Sequence, residues 1–470
     1  MPGVIGTLKS LKKQGLKVAV ISNHPFRQDA VRQLLQAYGL NQYVDELIVS
    51  SEIGWLKSPA DPQGRIFTEV QRRLRLPGSA VVHVGDNPDA DGQSPKSAGM
   101  RGIVYRNPFS LQQRLLRKFP DPNQPEYKRA SLEAHKEALT LASRDYYERS
   151  RSQLTSEKLA PYALRLYEIS RDIYGPILVK YAEQQLEHLR QNQDSMMNLC
   201  VGRDGLAMFL VQRRLLQLFP EKYQDISPHN IQFVNLSRKS VKKDEKLDQQ
   251  VQRNQLATFL DKVGFRSKKR ININDNGIEG TIQNRLQELF PEKSFEGNYL
   301  LCRKLRSDQN NSQKHGFLVE CDTSRINPDV LIDHTCQGPV PELTRKFMSI
   351  DFVHLQEDLW NGIFASAKPL VDTPGLGFLP ENWRQHMDFI PGNPDVIPEF
   401  RDLKNYELMK RLALKGILDS IKVHRRETQL GVEPLLEERI RRLGNWFHDA
   451  NSRKATLDHK LLHGMVRKRD

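Results

Sequence analysis

Helix and strand patterns alternate along the first 105 residues of the sequence. The amphipathic segments are 3–16, 27–40 and 66–76, and the short β-branched runs are 17–22, 46–50, 80–85 and 102–106. Repeated β–α units of this length predict a parallel, doubly wound sheet. Ligands of such sheets bind at the carboxyl ends of the strands. The residues that follow each predicted strand are therefore the first candidates for a functional site.

The 470 residues exceed what one hydrophobic core usually serves, so the length predicts more than one domain. A cluster of prolines near residue 120 ends the first alternation, long helical patterns follow, and a second alternation begins near residue 194. The fold class is thus α/β. We expect a doubly wound sheet in 1–120, a helical linker in 121–193, a second α/β domain in 194–325, a loop-rich segment in 326–400 and a basic helical tail in 401–470.

The chain carries a formal net charge of +14, and its basic residues cluster at several points. Such a balance favours phosphate or polyanion partners. However, no zinc-finger spacing, RNA-binding signature or heptad zipper accompanies the charge. We therefore favour solvated helix faces over a nucleic-acid surface and do not expect a nucleic-acid partner.

Four cysteines, Cys200, Cys302, Cys321 and Cys336, lie at irregular spacings without a Cys-x-x-Cys pair. They predict reduced thiols and a cytoplasmic protein. A zinc site at Cys321, His334 and Cys336 is disfavoured against ordinary buried thiols, because the close paired spacing of zinc ligands is missing. No window reaches the apolar length of a membrane span, and the start of the sequence has no secretory apolar region.

Three carboxylates, Asp86, Asp89 and Asp91, follow the predicted strand 80–85. Asp86 comes directly after it and Asp91 lies five residues further, which suits two ligands of a Mg²⁺ ion, with Asn87 as a further oxygen donor. In the alternative interpretation, this is a polar turn whose Asn and Asp cap the next helix. We assign Asp89 to the turn in either case.

The other strand ends favour the first interpretation. Ser22, Asn23 and His24 end the strand 17–22, and Lys57 precedes a proline-rich turn. Phosphoryl transfer uses a hydroxyl to orient a phosphoryl oxygen, a lysine to neutralise charge and carboxylates to hold Mg²⁺. His83, inside its strand, is expected to be a buried, hydrogen-bonded histidine.

Three segments together resemble the haloacid-dehalogenase-like (HAD) hydrolase superfamily: VAVISN, LKSPADPQGRIF and VVHVGDNPDADGQSPKSAGMRGIVY. They are similar to its second, third and fourth motifs, and the resemblance spans residues 2–107. It implies that Ser22 and Lys57 are catalytic, that Asp86 and Asp91 hold Mg²⁺, and that Asn23 and His24 contact a phosphorylated small molecule. The chain looks most like two-domain hydrolases associated with polysaccharide biosynthesis.

The family's first motif has no counterpart in this sequence. Its nucleophile is the first Asp of an Asp-x-Asp motif, whereas Asp89–Asp91, inside the fourth motif, is the only such pair here. We consider a late-assigned start or truncated gene, a pseudoenzyme, and a nucleophile supplied by another chain. We expect a hydrolase that is inactive or truncated; the alternative is a non-catalytic module that binds a phosphorylated sugar or nucleotide. The first domain should pack less completely than its motifs imply.

Three strand ends of the second alternation also present chemistry-bearing residues. They are Arg203 and Asp204, then Ser237 and Arg238, and finally Asp275, Gly280 and Thr281. One interpretation is a second phosphate or nucleotide-sugar site, with Asp204 and Asp275 as metal ligands and the Gly280–Thr281 turn around phosphate. The other is that Gly, Ser and Asp are the usual residues of βα turns.

Overall fold

The computed structural model describes most of the chain. The described residues are 4–105, 118–119, 121–150, 157–242, 248–275, 278–305, 310–322, 336–349, 352–353, 368, 370–373, 377–381, 395–453 and 456–465. The chain divides into two compact units, Met1–Pro122 and Asn123–Asp470.

The first unit alternates helices and strands. Its helices are α1 (Val4–Lys13), α2 (Gln28–Ala37), α3 (Ser50–Ile53) and α4 (Arg65–Leu74), with short helical turns at Asn41–Tyr43, Gly78–Ala80, Pro88–Gln93 and Ser94–Ala98. Its strands are β1 (Ala19–Ser22), β2 (Glu46–Val49), β3 (Val82–Gly85) and β4 (Arg101–Val104). The mixed α/β class expected from the alternation is confirmed.

The four strands of the first unit form two separate parallel pairs. β1 pairs with β2, from Ala19 opposite Glu46 to Ser22 opposite Val49. β3 pairs with β4, and the described strands show no pairing between β1 and β3. One apolar cluster, which includes Phe67 of α4, packs against residues of β1 and β2, and the Phe67 ring also lies edge-on to His83 of β3 with the ring centroids 5.0 Å apart. The amphipathic helix α4 therefore provides a common core for them.

The apolar residues of β3 are only partly covered. Val82 and Val84 are 52% and 58% exposed, and Ile103 of β4 is 41% exposed. These two valines of the predicted strand 80–85 are therefore largely exposed to solvent. α2 packs with Val20, Leu47 and Val49, whereas no such cluster forms on the exposed valines of β3 among the described residues. The expectation of incomplete packing stays a prediction.

The second unit begins with helices and continues as an α/β structure. Its helices are α5 (Pro125–Ser150), α6 (Ala160–Ile169), α7 (Gly175–Arg190), α8 (Gly202–Leu218), α9 (Pro220–Tyr223), α10 (Arg238–Val241), α11 (Gln249–Asp261), α12 (Thr281–Leu289), α13 (Pro341–Phe347), α14 (Leu403–Leu430), α15 (Leu436–Ser452) and α16 (Leu457–Met465). Short helical turns lie at Glu157–Leu159, Ser170–Tyr174, Pro228–Asn230, Phe265–Ser267, Asn311–Gln313 and Pro398–Arg401.

A six-stranded sheet organises the second unit. The strands are β5 (Met196–Val201), β6 (Ile231–Val234), β7 (Arg270–Asp275), β8 (Ser294–Lys304), β9 (Lys314–Asp322) and β10 (Cys336–Gln337); β11 (Leu370–Thr373) and β12 (Gly377–Pro380) form a separate antiparallel pair. The sheet order is β10-β9-β8-β7-β5-β6, parallel except for β10. The carboxyl ends of β6, β5 and β7 therefore share one edge.

A network of buried amides crosses this sheet. Asn272 of β7 donates to Gln185 Oε1 at 2.9 Å and to Asn198 Oδ1 at 2.8 Å, and it accepts from Asn298 Nδ2 at 2.6 Å. Gln212 continues the network to Asn274. Because an unpaired buried amide is costly, these mutual hydrogen bonds fix the register of the strands and of α7 and α8.

Two of the four cysteines are bonded to each other. Cys321 of β9 and Cys336 of β10 stand opposite in the antiparallel pair and form a disulfide, while Cys200 and Cys302 are buried and form no disulfide. The expectation of reduced thiols is therefore wrong for Cys321 and Cys336. It failed because their contact depends on strand pairing, which the spacing does not reveal. His334 lies outside the described residues.

The long helix α14 packs against the helices that precede the sheet. Its Asp419 accepts a hydrogen bond from Tyr167 of α6 at 3.0 Å, and Glu427 pairs with Arg439 of α15 at 2.6 Å. Both carboxylates are buried and both find partners, as buried charges require. None of the helices in the described part of the chain has the length and apolarity to cross a membrane.

Candidate functional site

Lys57 joins the carboxyl ends of β1 and β3, although these strands do not pair. Its backbone N–H donates to Asn23 Oδ1 at 2.7 Å, and Asn23 Nδ2 donates back to the Lys57 carbonyl at 3.0 Å. Its ammonium donates to Asp91 Oδ1 at 2.7 Å. The loop between α3 and α4 is thus fastened to both strand ends, and the expected site residues Asn23, Lys57 and Asp91 are brought together.

Asp91 is the buried anchor of this arrangement, with a side chain that is 3% exposed. Its Oδ1 also lies 2.8 Å from His83 Nε2, and its Oδ2 accepts from the Asn87 N–H at 2.9 Å. Burial alone would raise the pKa of Asp91, but the hydrogen bonds from His83 and Lys57 outweigh it and hold the pKa well below its usual range. Asp91 is therefore a buried, ionised carboxylate whose charge is neutralised by Lys57.

The absence of a side chain at Gly85 makes room for Asp91. A Cβ at this position would lie 2.1 Å from Asp91 Cγ and 2.3 Å from Oδ2. No side chain can be added there without displacing the carboxylate. A glycine is therefore required at the end of β3, because any side chain there would overlap Asp91.

Asp86 differs from Asp91 in its surroundings. It is partly exposed, and its carboxylate has no hydrogen bond or ion pair among the described residues. The Ser22 hydroxyl at the end of β1 is likewise unengaged by any residue that the structure describes. The strand ends therefore offer an accessible carboxylate and a hydroxyl beside a pre-paired lysine.

Other expected ligands have local roles. Asn87 Oδ1 accepts from the N–H groups of Asp89 and Ala90, so it caps the turn Pro88–Gln93 and is not an available oxygen donor. Asp89 is exposed in that turn. His24 Nδ1 accepts from the Phe26 N–H at 3.2 Å, which leaves only Nε2 for a ligand.

Of the two carboxylates expected to hold Mg²⁺ at the carboxyl end of β3, one is well suited to that role and the other is largely occupied. Mg²⁺ takes one or two carboxylates and fills its remaining positions with water and phosphate oxygens. Asp86 fits as one ligand. Asp91 offers only the remaining lone pair of Oδ2, because Lys57 and His83 hold Oδ1 and Asn87 holds one direction of Oδ2.

The expected site residues of the second unit share a sheet edge. Arg203 and Asp204 lie in the first turn of α8 after β5, and their side chains lie outside the described part of the structure. Asp275 ends β7 and is near enough to the buried Cys200 thiol to help burial raise the pKa of that thiol. Metal ligation by Asp204 and Asp275 stays a prediction.

Ser237 and Arg238 have a helix-capping arrangement. Ser237 Oγ accepts from the N–H groups of Lys239 and Ser240, and Ser240 Oγ accepts from the Ser237 N–H. This is a capping box for α10, which supports the interpretation of this turn as ordinary βα structure. Arg238 is exposed in the first turn.

The Gly280 turn lies against a buried lysine that the sequence analysis missed. Gly280 has φ +66°, and a Cβ there would lie 2.6 Å from the Tyr299 hydroxyl and 3.0 Å from Lys314 Nζ. Lys314 is fully buried and donates to the Glu279 carbonyl at 2.5 Å. Thr281 is exposed at the start of α12. Lys314 is the first residue of β9, and no local sequence pattern indicates that its side chain is buried beside Gly280.

A family model described as haloacid dehalogenase-like hydrolase matches residues 1–99. The chain is 33% identical over 111 residues to haloacid dehalogenase-like hydrolase domain-containing protein 3 of Homo sapiens, which is 24% of this chain and 41% of that protein. It is 35% identical over 107 residues to glyceraldehyde 3-phosphate phosphatase of Methanopyrus kandleri, 22% of this chain and 42% of that protein.

The chain thus spans about two fifths of the length of the curated relatives it matches. The family model spans Ser22, Lys57, Asp86 and Asp91. It supports the expected resemblance to HAD-like hydrolases for residues 1–99.

Proposed function

We propose that the first unit binds phosphate esters together with Mg²⁺ at the carboxyl ends of β1 and β3. The contrast between the two carboxylates carries this proposal: Asp91 is buried and paired with Lys57, whereas Asp86 beside it is accessible and unengaged within the described chain. One relative, matched over 107 residues, is named glyceraldehyde 3-phosphate phosphatase, which supports a phosphorylated small molecule as the ligand.

In this proposal each residue has a separate task. Asp86 holds Mg²⁺, which supplies positive charge to the phosphoryl oxygens. Asp91 and Asn23 hold Lys57 in place so that its ammonium faces a phosphoryl oxygen. Ser22 donates its hydroxyl to another phosphoryl oxygen. Asn23 is therefore a positioning residue rather than a direct ligand.

We propose further that residues 1–470 bind such esters without turning them over. The resemblance gives the nucleophilic role to the first Asp of an Asp-x-Asp motif, and in the single such pair of this sequence that residue is Asp89, exposed in the turn Pro88–Gln93. This turn follows β3 and belongs to the segment that resembles the fourth motif, so the pair does not stand where the resemblance requires the nucleophile.

Calorimetric titration of the full chain with inorganic phosphate, with and without Mg²⁺, tests the proposal. We expect Mg²⁺-dependent binding that Asp86→Asn abolishes and that the matched control Asp89→Asn leaves intact. p-Nitrophenyl phosphate should not be hydrolysed. Equal binding by wild type and Asp86→Asn would contradict the site, and turnover that Asp86→Asn abolishes would contradict the inactivity.

A phosphate or nucleotide-sugar site in the second unit is a second candidate, favoured by the buried Lys314 at the Gly280 turn. The Lys314 ammonium and the first N–H groups of α12 lie on the same turn, and both favour an anion. Phosphate binding that survives Asp86→Asn but is lost in Gly280→Ala would assign the ligand to this turn. Such a ligand is compatible with the expected association with polysaccharide biosynthesis.

A further inference from the structure

Three residues of the second unit form a cluster that the sequence analysis did not identify. Glu183 of α7, His424 of α14 and Glu433, which follows α14, each offer one donor atom, and these atoms all lie within 4.8 Å of one another. His424 Nε2 lies 3.4 Å from Glu183 Oε1, and His424 Nδ1 lies 3.7 Å from Glu433 Oε1. Two helices and the loop after α14 therefore converge at this point.

The imidazole of His424 is the unusual member of the cluster. Its residue is 2% exposed, and its Nδ1 atom is buried without a hydrogen-bond partner among the described residues. Buried polar atoms normally find a partner, so such an atom calls for an explanation. The 3.7 Å separation from Glu433 is too long for a hydrogen bond but is close to the distance between two ligands of one metal ion, about 3.4 Å for a tetrahedral zinc.

Lysines now neutralise the two carboxylates. Lys180 donates to Glu183 at 2.8 Å and also pairs with Glu433, and Lys222 pairs with Glu183 at 2.7 Å. Burial alone would raise the pKa of Glu183, but the hydrogen bonds from His424, Lys180 and Lys222 hold it below its usual range. The Lys180 ammonium thus lies between the two carboxylates, in the position of a bound cation.

We propose that Glu183, His424 and Glu433 bind a divalent transition-metal ion of the Zn²⁺ type, which replaces the ammonium of Lys180. One imidazole nitrogen and two carboxylates suit such an ion, whereas Mg²⁺ and Ca²⁺ prefer an all-oxygen set. The Lys180 side chain is 24% exposed and can rotate into water, and that of Glu433 is 29% exposed and can move toward the metal. The ion would tie the loop after α14 to α7. The site lies in the second unit and does not depend on the proposed function of the first.

Titration of the metal-stripped full chain with Zn²⁺ alone, followed by calorimetry, tests this site. We expect Glu433→Gln to weaken binding by roughly tenfold or more, because it removes a ligand. Lys180→Met should strengthen binding by about tenfold, because it removes the competing ammonium. Glu437→Gln, an exposed carboxylate on α15, is the matched control and should change nothing.

Glu433 and Lys180 are preferable to His424 as test positions because both are accessible, so their variants should fold. Circular dichroism of each variant checks this. The absence of Zn²⁺ binding, or binding that Glu433→Gln leaves unchanged, would overturn the site. Binding that Lys180→Met does not strengthen would overturn the exchange of the ammonium for the metal.

Discussion

Lys57 and Asp91 form a 2.7 Å ion pair across 34 residues of sequence, and this pair joins two strand pairs that share no backbone hydrogen bonds. The Lys57 and Asp91 side chains are 14% and 3% exposed. A pair so placed has structural consequences that are separate from any ligand. Removal of one partner leaves the other buried and uncompensated.

Asp91→Asn should therefore destabilise the first unit by about 3 kcal/mol, since a buried charge loses its partner. Hydrogen–deuterium exchange of peptides from residues 66–100 in the full chain measures this locally. Asp89→Asn, in the exposed part of the same turn, should change stability by less than about 0.5 kcal/mol. Equal exchange rates in the two variants would show that the ion pair contributes nothing.

The same ion pair predicts an acid-sensitive unit. The pKa of Asp91 is lowered in the folded state, so its contribution to stability is complete above the unfolded value of about 4 and is lost as the pH falls below it. The stability difference between wild type and Asp91→Asn should therefore be constant from pH 5 to 7 and should shrink below about pH 4. Urea unfolding across this range measures it, and a difference that grew on acidification would contradict the assignment.

Gly85→Ala should destabilise the unit through Asp91. The added methyl would lie 2.1 Å from Asp91 Cγ, and an overpacked position of this kind costs about 1–3 kcal/mol. Gly6→Ala in α1 is a suitable control, because nothing lies within 4 Å of its Cβ position and alanine favours a helix by about 0.5–1 kcal/mol. Thermal melts of the two variants should therefore shift in opposite directions.

The disulfide predicts a defined thiol count. In denaturant without reductant, two of the four cysteines should react with iodoacetamide, and all four should react after reduction. Cys321 and Cys336 are separated by 15 residues, and their cross-link should stabilise the fold by about 3 kcal/mol. Four reactive cysteines before reduction, as seen by mass spectrometry, would show that the pair is not formed.

The sequence allowed the order of helices and strands to be predicted because each element has a local pattern. The run 17–22 contains β1, and α1 and α2 lie within the predicted amphipathic segments 3–16 and 27–40. The residues at the strand ends were found in the same way, since parallel strands bring their carboxyl ends to one edge.

Contacts between distant residues were not predictable in this way. Nothing local indicates that Asn23 pairs with the backbone of Lys57, or that Cys321 faces Cys336. The exposure of Val82 and Val84 depends on what covers the sheet, which strand periodicity does not encode. Sequence patterns therefore identified the candidate residues of the first unit, and the structure distinguished the engaged Asp91 from the accessible Asp86.

The amide network of the second unit allows a test of a purely structural role. Asn272→Ala would leave Gln185, Asn198 and Asn298 with unpaired groups in a buried layer, and we expect a loss of about 3 kcal/mol in urea unfolding. Asn254→Ala, at an exposed position of α11, should have a small effect.

Asn272→Asp tests the effect of a charge at this position with almost no change in side-chain size. The two side chains are nearly the same size, but an ionised carboxylate cannot donate to Gln185 and Asn198 and is costly to bury. Because burial raises the pKa of such a carboxyl, the folded state should take up a proton more readily than the unfolded state. The destabilisation by Asn272→Asp should therefore be larger at pH 7 than at pH 5, whereas that of Asn272→Ala should not change with pH. Equal pH profiles for the two variants would show that water reaches the network.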